Sequence, residues 1–224
     1  MRLDTYLVDM GYFSSRARAK DAIIRGNVIV EGNVVTKPSK DVSTDLLIEV
    51  VEGLDMPKGY FKLKFIQVAS NIICEGDSVL DLGSSAGGFL LYALQIAGKI
   101  QGIEYSKDFH TELSKITEEH ENVSVKFGDV FTLPLREMSS ENVDVILSDM
   151  TLEPADSLVA LKRVLPLLKE GGKLLQVIKI KKREKREPIL SKIEAIGVEI
   201  LQVIEPEKQE IYVIARKPLK EVDA

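Results

Sequence analysis

Apolar positions along the chain change rhythm near residue 60. Before it the periods are short. "TYLVDMGYF" and "SRARAKDAIIRG" space their apolar residues as helices do, Gly11 and Gly26 fit the helix ends, and Ser14 or Ser15 stands where the second helix needs a cap. "NVIVEGNVV" predicts two short strands around Glu31-Gly32-Asn33, and "DLLIEV" predicts a third. "VEGLDMPKG", with two glycines and a proline, predicts a linker.

After residue 60, strand patterns alternate with amphipathic ones. "DSVLDLG" is a buried strand and "GGFLLYALQIAG" a helix; "KIQGIEYS" is a strand and "KDFHTELSKITEEH" a helix. "NVSVKFGDV" and "NVDVILSDM" are strands, and "ADSLVALKRVLPLLKEGG" predicts a helix ending on Gly171-Gly172. "KLLQVIKI" is a strand, "KREPILSKIEAIG" a helix, and "VEILQVIE" and "EIYVIARK" are strands. Repeated strand–helix units predict an α/β domain whose mostly parallel sheet is covered on both faces. No helix separates the final two strands, so the last is expected to run antiparallel. The organisation expected is a small α+β domain over residues 1–52 and an α/β domain with a seven-stranded sheet over 60–217.

Composition narrows the classes. Of 224 residues, 45% are hydrophobic, enough for a core, and 29% are charged. No apolar run reaches bilayer length, and the start, "MRLDTYLVDMG", carries acids and no long apolar stretch. A cytoplasmic protein without a secretion signal is expected. One cysteine, Cys74, excludes an internal disulfide and a cysteine-based zinc site, and is expected to be buried or half-buried. His110 and His120 flank a charged segment and read as solvated, which argues against a histidine triad or metal site. The net charge of −5 weighs against a nucleic-acid partner, although a local basic face can still serve.

"DLGSSAGGF", residues 81–89, lies at the carboxyl end of the second domain's first strand, where ligands of such sheets bind. Its small residues let the backbone bend sharply and let a ligand approach it. A ligand-free strand–helix corner would use the same residues. The stretch has no P-loop lysine, and residue 85 is Ser where a dinucleotide fingerprint needs its second glycine. Asp81-x-Gly83-x-x-x-Gly87 resembles the first motif of S-adenosylmethionine-dependent methyltransferases, which implies a Rossmann-like domain. The implied cofactor set is Asp81, Gly83, Ser84, Ser85, Gly87, Gly88, Phe89, Glu104, Tyr105, Asp129, Val130 and Asp149. Glu104, ending the second strand, would accept from the ribose hydroxyls. Asp129, ending the third, would accept from the adenine amino group.

"GYFKLKF", "VILSDM", "LLQVIKI" and "QEIYVIA", read at strand ends, place Lys62, Asp149, Lys179 and Glu210 around one cleft; a register slip of two would put Lys64 in the first position. Over residues 60–216 the sequence resembles the FtsJ-type ribosomal RNA 2′-O-methyltransferases, which carry a Lys-Asp-Lys-Glu tetrad. A ribose 2′-hydroxyl is a poor nucleophile; an ammonium stabilises its developing alkoxide, and a neutral amine can take its proton. A second lysine nearby favours that neutral form, and an acid between them limits the accumulated charge. The resemblance implies that Lys179 is the base, tuned and oriented by Lys62, Asp149 and Glu210. The family continues after this Asp with Ala-Pro-Asn, whereas this chain has "TLEPADS".

Residues 2 to about 50 resemble the RNA-binding motif of ribosomal protein S-four. Arg16, Arg18, Lys20 and Arg25 lie on or beside one helix, Arg2 precedes the first, and Lys37 and Lys40 follow the hairpin. The resemblance implies that they contact phosphates of folded RNA. The pairing of both modules resembles the TlyA family, which methylates ribosomal RNA at cytidine 2′-O positions. That family's "KPQFE" is replaced here by "KIKKREKRE", whose Lys181, Lys182 and Arg183 are candidates for an RNA clamp. The expected activity is RNA 2′-O-methylation with S-adenosylmethionine, and the expected partner is RNA, in the first place ribosomal RNA.

Overall fold

The structure is a computed structural model that describes residues 1–43, 46–51, 56–180, 186–206 and 210–219. The chain divides into two compact units, residues 1–61 and 62–224.

In the first unit, helices α1 (Leu3–Asp9) and α2 (Arg16–Ile24) precede strands β1 (Val28–Val30), β2 (Asn33–Val34) and β3 (Ile48–Val50). Of the two candidate caps, Ser15 serves α2, its side chain accepting from the Arg18 amide. The strands order β2-β1-β3, all antiparallel. The hairpin turns on Glu31 and Gly32, both at positive φ, as a two-residue turn matching strand twist requires. Leu3, Leu7, Phe13, Ile23, Val28 and Val50 are among the residues of its core. The third strand is shorter than "DLLIEV".

In the second unit, α3 (Lys58–Ser70) leads into the sheet. It starts inside the stretch expected as linker, so Lys62 stands on a helix and not at a strand end. The strands are β4 (Ser78–Leu82), β5 (Lys99–Glu104), β6 (Val123–Phe127), β7 (Val143–Ser148), β8 (Leu168–Lys179), β9 (Glu199–Ile204) and β10 (Glu210–Arg216). Helices α4 (Gly88–Ala93), α5 (His110–Glu119), α6 (Leu135–Met138), α7 (Pro154–Val164) and α8 (Glu187–Glu194) connect them. Strand order is β6-β5-β4-β7-β8-β10-β9. The β6-to-β8 ladder is parallel, and β10 is antiparallel to both β8 and β9. The order reverses between β4 and β7, which opens a crevice at their carboxyl ends. Leu80, Ile146, Leu161, Leu174 and Val213 lie in the core that the sheet and α7 share.

Two expectations about helix ends fail. Helix α7 ends at Val164, not at Gly171-Gly172. Pro166 lacks the amide a helix needs and clashes with the preceding turn, so the chain passes through a single 3-10 turn, Leu165–Leu167, into β8. Gly171 and Gly172 lie within that strand and exchange hydrogen bonds with Lys217. A Cβ at Gly172 would stand 2.9 Å from the Asp144 carbonyl oxygen, so Gly172 serves close backbone approach, whereas Gly171 takes a left-handed φ of 76°. Helix α4 likewise ends at Ala93, short of Gly98. Cys74 is exposed, against expectation, in the turn before β4.

Candidate active site

The turn after β4 is built by three left-handed residues, Gly83, Ser85 and Gly87. The amides of Gly83 and Ser84 both donate to the Ile103 carbonyl, folding the turn onto β5. Sequence reasoning missed Gly102: a Cβ there would lie 2.5 Å from Ser84 Oγ, so its absence makes room for the turn. Gly87 caps α4 at φ 79°, and a Cβ on it would collide with Ile116 Cδ1.

Beneath the turn, Asp81 is buried with both carboxylate oxygens lacking a hydrogen-bond partner. Burial pushes its pKa up to about 7. The Ser84 hydroxyl lies near enough to pull it partly back, yet Ser84 Oγ makes no hydrogen bond of standard geometry. Glu104, at the end of β5, accepts from the Ser85 amide at 2.6 Å and from the Ser106 amide at 2.7 Å. Its carboxylate is therefore held in place between the glycine turn and the start of the next loop. The neighbouring Tyr105 is exposed, and Phe89 and Gly88 are buried in α4. Asp129 accepts from the Phe131 amide, and Arg163 donates to the Val130 and Leu133 carbonyls, fixing the loop after β6. The sequence-predicted cofactor residues thus line the carboxyl ends of β4, β5, β6 and β7. Orphaned acceptors on Asp81, a fixed carboxylate on Glu104 and a small-residue turn form a donor-seeking, closely approachable cradle, which fits a nucleoside-bearing cofactor.

Across the crevice, Lys62 Nζ donates to Asp149 Oδ2 at 2.8 Å and to Glu210 Oε2 at 3.2 Å. Three elements far apart in sequence meet here: α3, the end of β7 and the start of β10. Lys62 rather than Lys64 takes the position, since two residues along a helix point to different faces. Tyr212, which sequence reasoning did not single out, donates from its hydroxyl to Glu210 Oε1 at 2.6 Å, and Lys62 Nζ lies 5.9 Å from its ring centroid. Its two-residue spacing from Glu210 on one strand, which puts both on the same face, was the signal available. Lys179 stands directly opposite Glu210 in the β8–β10 register, with an exposed side chain, and its charge acts on Asp149.

The charges settle into distinct states. Burial alone would lower the pKa of Lys62, but the facing Asp149 and Glu210 outweigh it and hold it raised, so Lys62 is a firm cation. Burial pushes Asp149 up despite Lys62. Burial and the Glu210 hydrogen bond push the Tyr212 phenol up, so it remains a donor.

Residues 56–217 match the FtsJ-like methyltransferase family and residues 1–48 the S4 domain family. The chain belongs to the FtsJ-like methyltransferase family. Members of this family use S-adenosylmethionine, and the cradle above fits that cofactor. The hemolysin A of Brachyspira hyodysenteriae is 29% identical over 171 residues, 75% of this chain and 68% of that protein. A fibrillarin-like rRNA/tRNA 2′-O-methyltransferase of Pyrococcus furiosus is 30% identical over 155 residues, 64% of this chain and 68% of that one. A match to a Streptomyces fradiae transposon protein spans only 29% of that relative. Aeropyrum pernix fibrillarin, solved with bound S-adenosyl-L-methionine, shares the fold with a TM-score of 0.62 at 19% identity, covering 84% of this chain and 94% of that one. Among the described residues, no helix is long and apolar enough to cross a membrane.

Of the RNA-contact candidates, Arg2, Arg16 and Lys20 gather around the carboxylate of Asp4. Arg25 pairs instead with Asp21 one helical turn away. Lys181, Lys182 and Arg183 fall outside the described residues.

Proposed function

We propose that this FtsJ-like methyltransferase transfers the methyl group of S-adenosylmethionine to ribose 2′-hydroxyls of RNA, ribosomal RNA being the substrate class, and that its N-terminal unit docks structured RNA. An RNA substrate of this kind goes with a cytoplasmic enzyme. The observation that carries the reading is Lys62 Nζ held between Asp149 and Glu210, with Lys179 opposite, beside the small-residue turn.

The cofactor supplies an activated methyl on a sulfonium, so the protein's task is to orient the hydroxyl and manage its proton. Asp81, Glu104, Tyr105, Asp129, Val130 and the backbone of residues 83–88 would hold the cofactor. Lys62, a fixed cation, stabilises negative charge as it grows on the 2′-oxygen. Lys179, across the strand pair from Glu210, accepts the proton as a neutral amine, having first given its own proton to the solvent its side chain is exposed to. Glu210 and Tyr212 keep Lys62 and Asp149 in place. Mapping 2′-O-methyl sites in ribosomal RNA from cells with and without the gene tests the reading. Loss of one or a few sites supports it; an unchanged 2′-O map with a lost base methylation overturns it.

A further inference from the structure

The basic residues of the N-terminal unit are not equivalent. Asp4 in the first turn of α1 is out of contact with solvent, yet it lies near the surface, covered by its own partners. Arg2 grips it with two hydrogen bonds, Nε to Oδ1 at 2.9 Å and Nη2 to Oδ2 at 3.0 Å. Arg16 Nη2 donates to Oδ2 at 2.9 Å, and Lys20 Nζ stands 4.0 Å from the same oxygen. The side chains of all three cations stay about half exposed, at 45%, 51% and 47%. Arg16 and Lys20 are four apart on α2 and so share a face. Asp41, in bridge register with Arg2, is the other acid acting on Arg2, and the cluster remains net positive. Hydrogen bonds from Arg2 and Arg16 hold the Asp4 carboxyl well below the usual carboxylate range, so it is always an anion here.

Three cations this close repel one another, and each long side chain loses rotamer freedom when it is fixed. A buried carboxylate shared by all three offsets both costs before any ligand arrives. We infer that Arg2, Arg16 and Lys20 form one preorganised site for RNA backbone phosphate, with Asp4 as its positioning residue. This rests on the RNA-directed reading of the N-terminal unit and separates these residues from Arg18 on α2 and Arg25 at its C-terminal cap. Asp4 repels phosphate directly but lowers the ordering cost of the groups that bind it.

Opposite signs make the inference testable. Counterion release alone predicts that Asp4→Asn, by adding one net positive charge, tightens RNA binding. Positioning predicts that it weakens binding, because a neutral amide cannot hold three cations together. The test titrates the full-length protein, wild type and variants, with a labelled RNA hairpin at several salt concentrations, reading affinity and its salt slope. Asp4→Asn is expected to bind roughly fivefold more weakly. The surface variants Arg16→Gln and Lys20→Gln leave the buried acid in place, so they do not depend on how well Asp4→Asn folds. Each is expected to lower the salt slope by about 1. Tighter binding by Asp4→Asn, or unchanged slopes in both surface variants, overturns the inference while the RNA-directed reading stands. A wild-type protein with no affinity for RNA overturns both.

Discussion

At the scale of single residues, the division of labour follows from which charges are fixed. Lys62 faces two carboxylates, so deprotonating it would leave both uncompensated in a half-buried site. Lys62→Met removes the cation, and a loss of about 100-fold in methyl-transfer rate is expected, in the range for deleting one transition-state charge partner. Single-turnover rates with bound RNA check it. Asp81 predicts a stability effect. Its folded-state pKa is about 7 against an ordinary 3.8, so between these values the folded chain retains a proton that the unfolded chain has lost. The raised value means stability is fully present below the ordinary value and is lost as pH rises toward 7. In cofactor-free protein, the unfolding free energy from urea titrations is expected to fall between pH 5 and pH 8 by about 3 kcal/mol more than in Asp81→Asn. A variant whose pH dependence matches the wild type would contradict the burial of an unpartnered acid.

At the scale of elements, glycines decide the geometry of the site. Gly87 combines a left-handed φ with a Cβ position taken by the terminal methyl of Ile116, which can shift, so Gly87→Ala is expected to cost about 1–2 kcal/mol, chiefly from backbone strain. Denaturant unfolding measures this, and a change under 1 kcal/mol, roughly the scale of an ordinary surface substitution, would contradict it. Much of this scale was legible in the sequence, because short apolar runs mark β4 to β10 and the acids Asp81, Glu104, Asp129 and Asp149 mark the carboxyl ends of β4 to β7. What was not legible depended on contacts between distant segments. Gly102 has meaning only against Ser84, and Gly172 only against Asp144 and Leu168. Resemblance groups Lys62 with Asp149 and Glu210, which it contacts, but the linear pattern puts it on the wrong element. The spacing of "GYFKLKF" suits a strand as well as a helix, and its packing against β10, with Phe65 edge-on to Tyr212, is what the linear pattern lacks.

At the scale of the whole molecule, one chain joins an FtsJ-like methyltransferase unit to an S4 unit, with a net charge of −5 overall. The proposed binding to RNA then relies on local basic faces, such as the one proposed around Asp4, and not on the global field. Alkaline hydrolysis of RNA methylated with methyl-labelled S-adenosylmethionine tests the central claim most directly, because a methylated 2′-oxygen cannot attack its neighbouring phosphate. The wild-type enzyme is predicted to leave its label in alkali-stable dinucleotides, and Lys179→Ala to leave at least about 100-fold less, as removing a general base does. Label released from wild-type reactions as mononucleotides, or full activity in Lys179→Ala, would contradict the account.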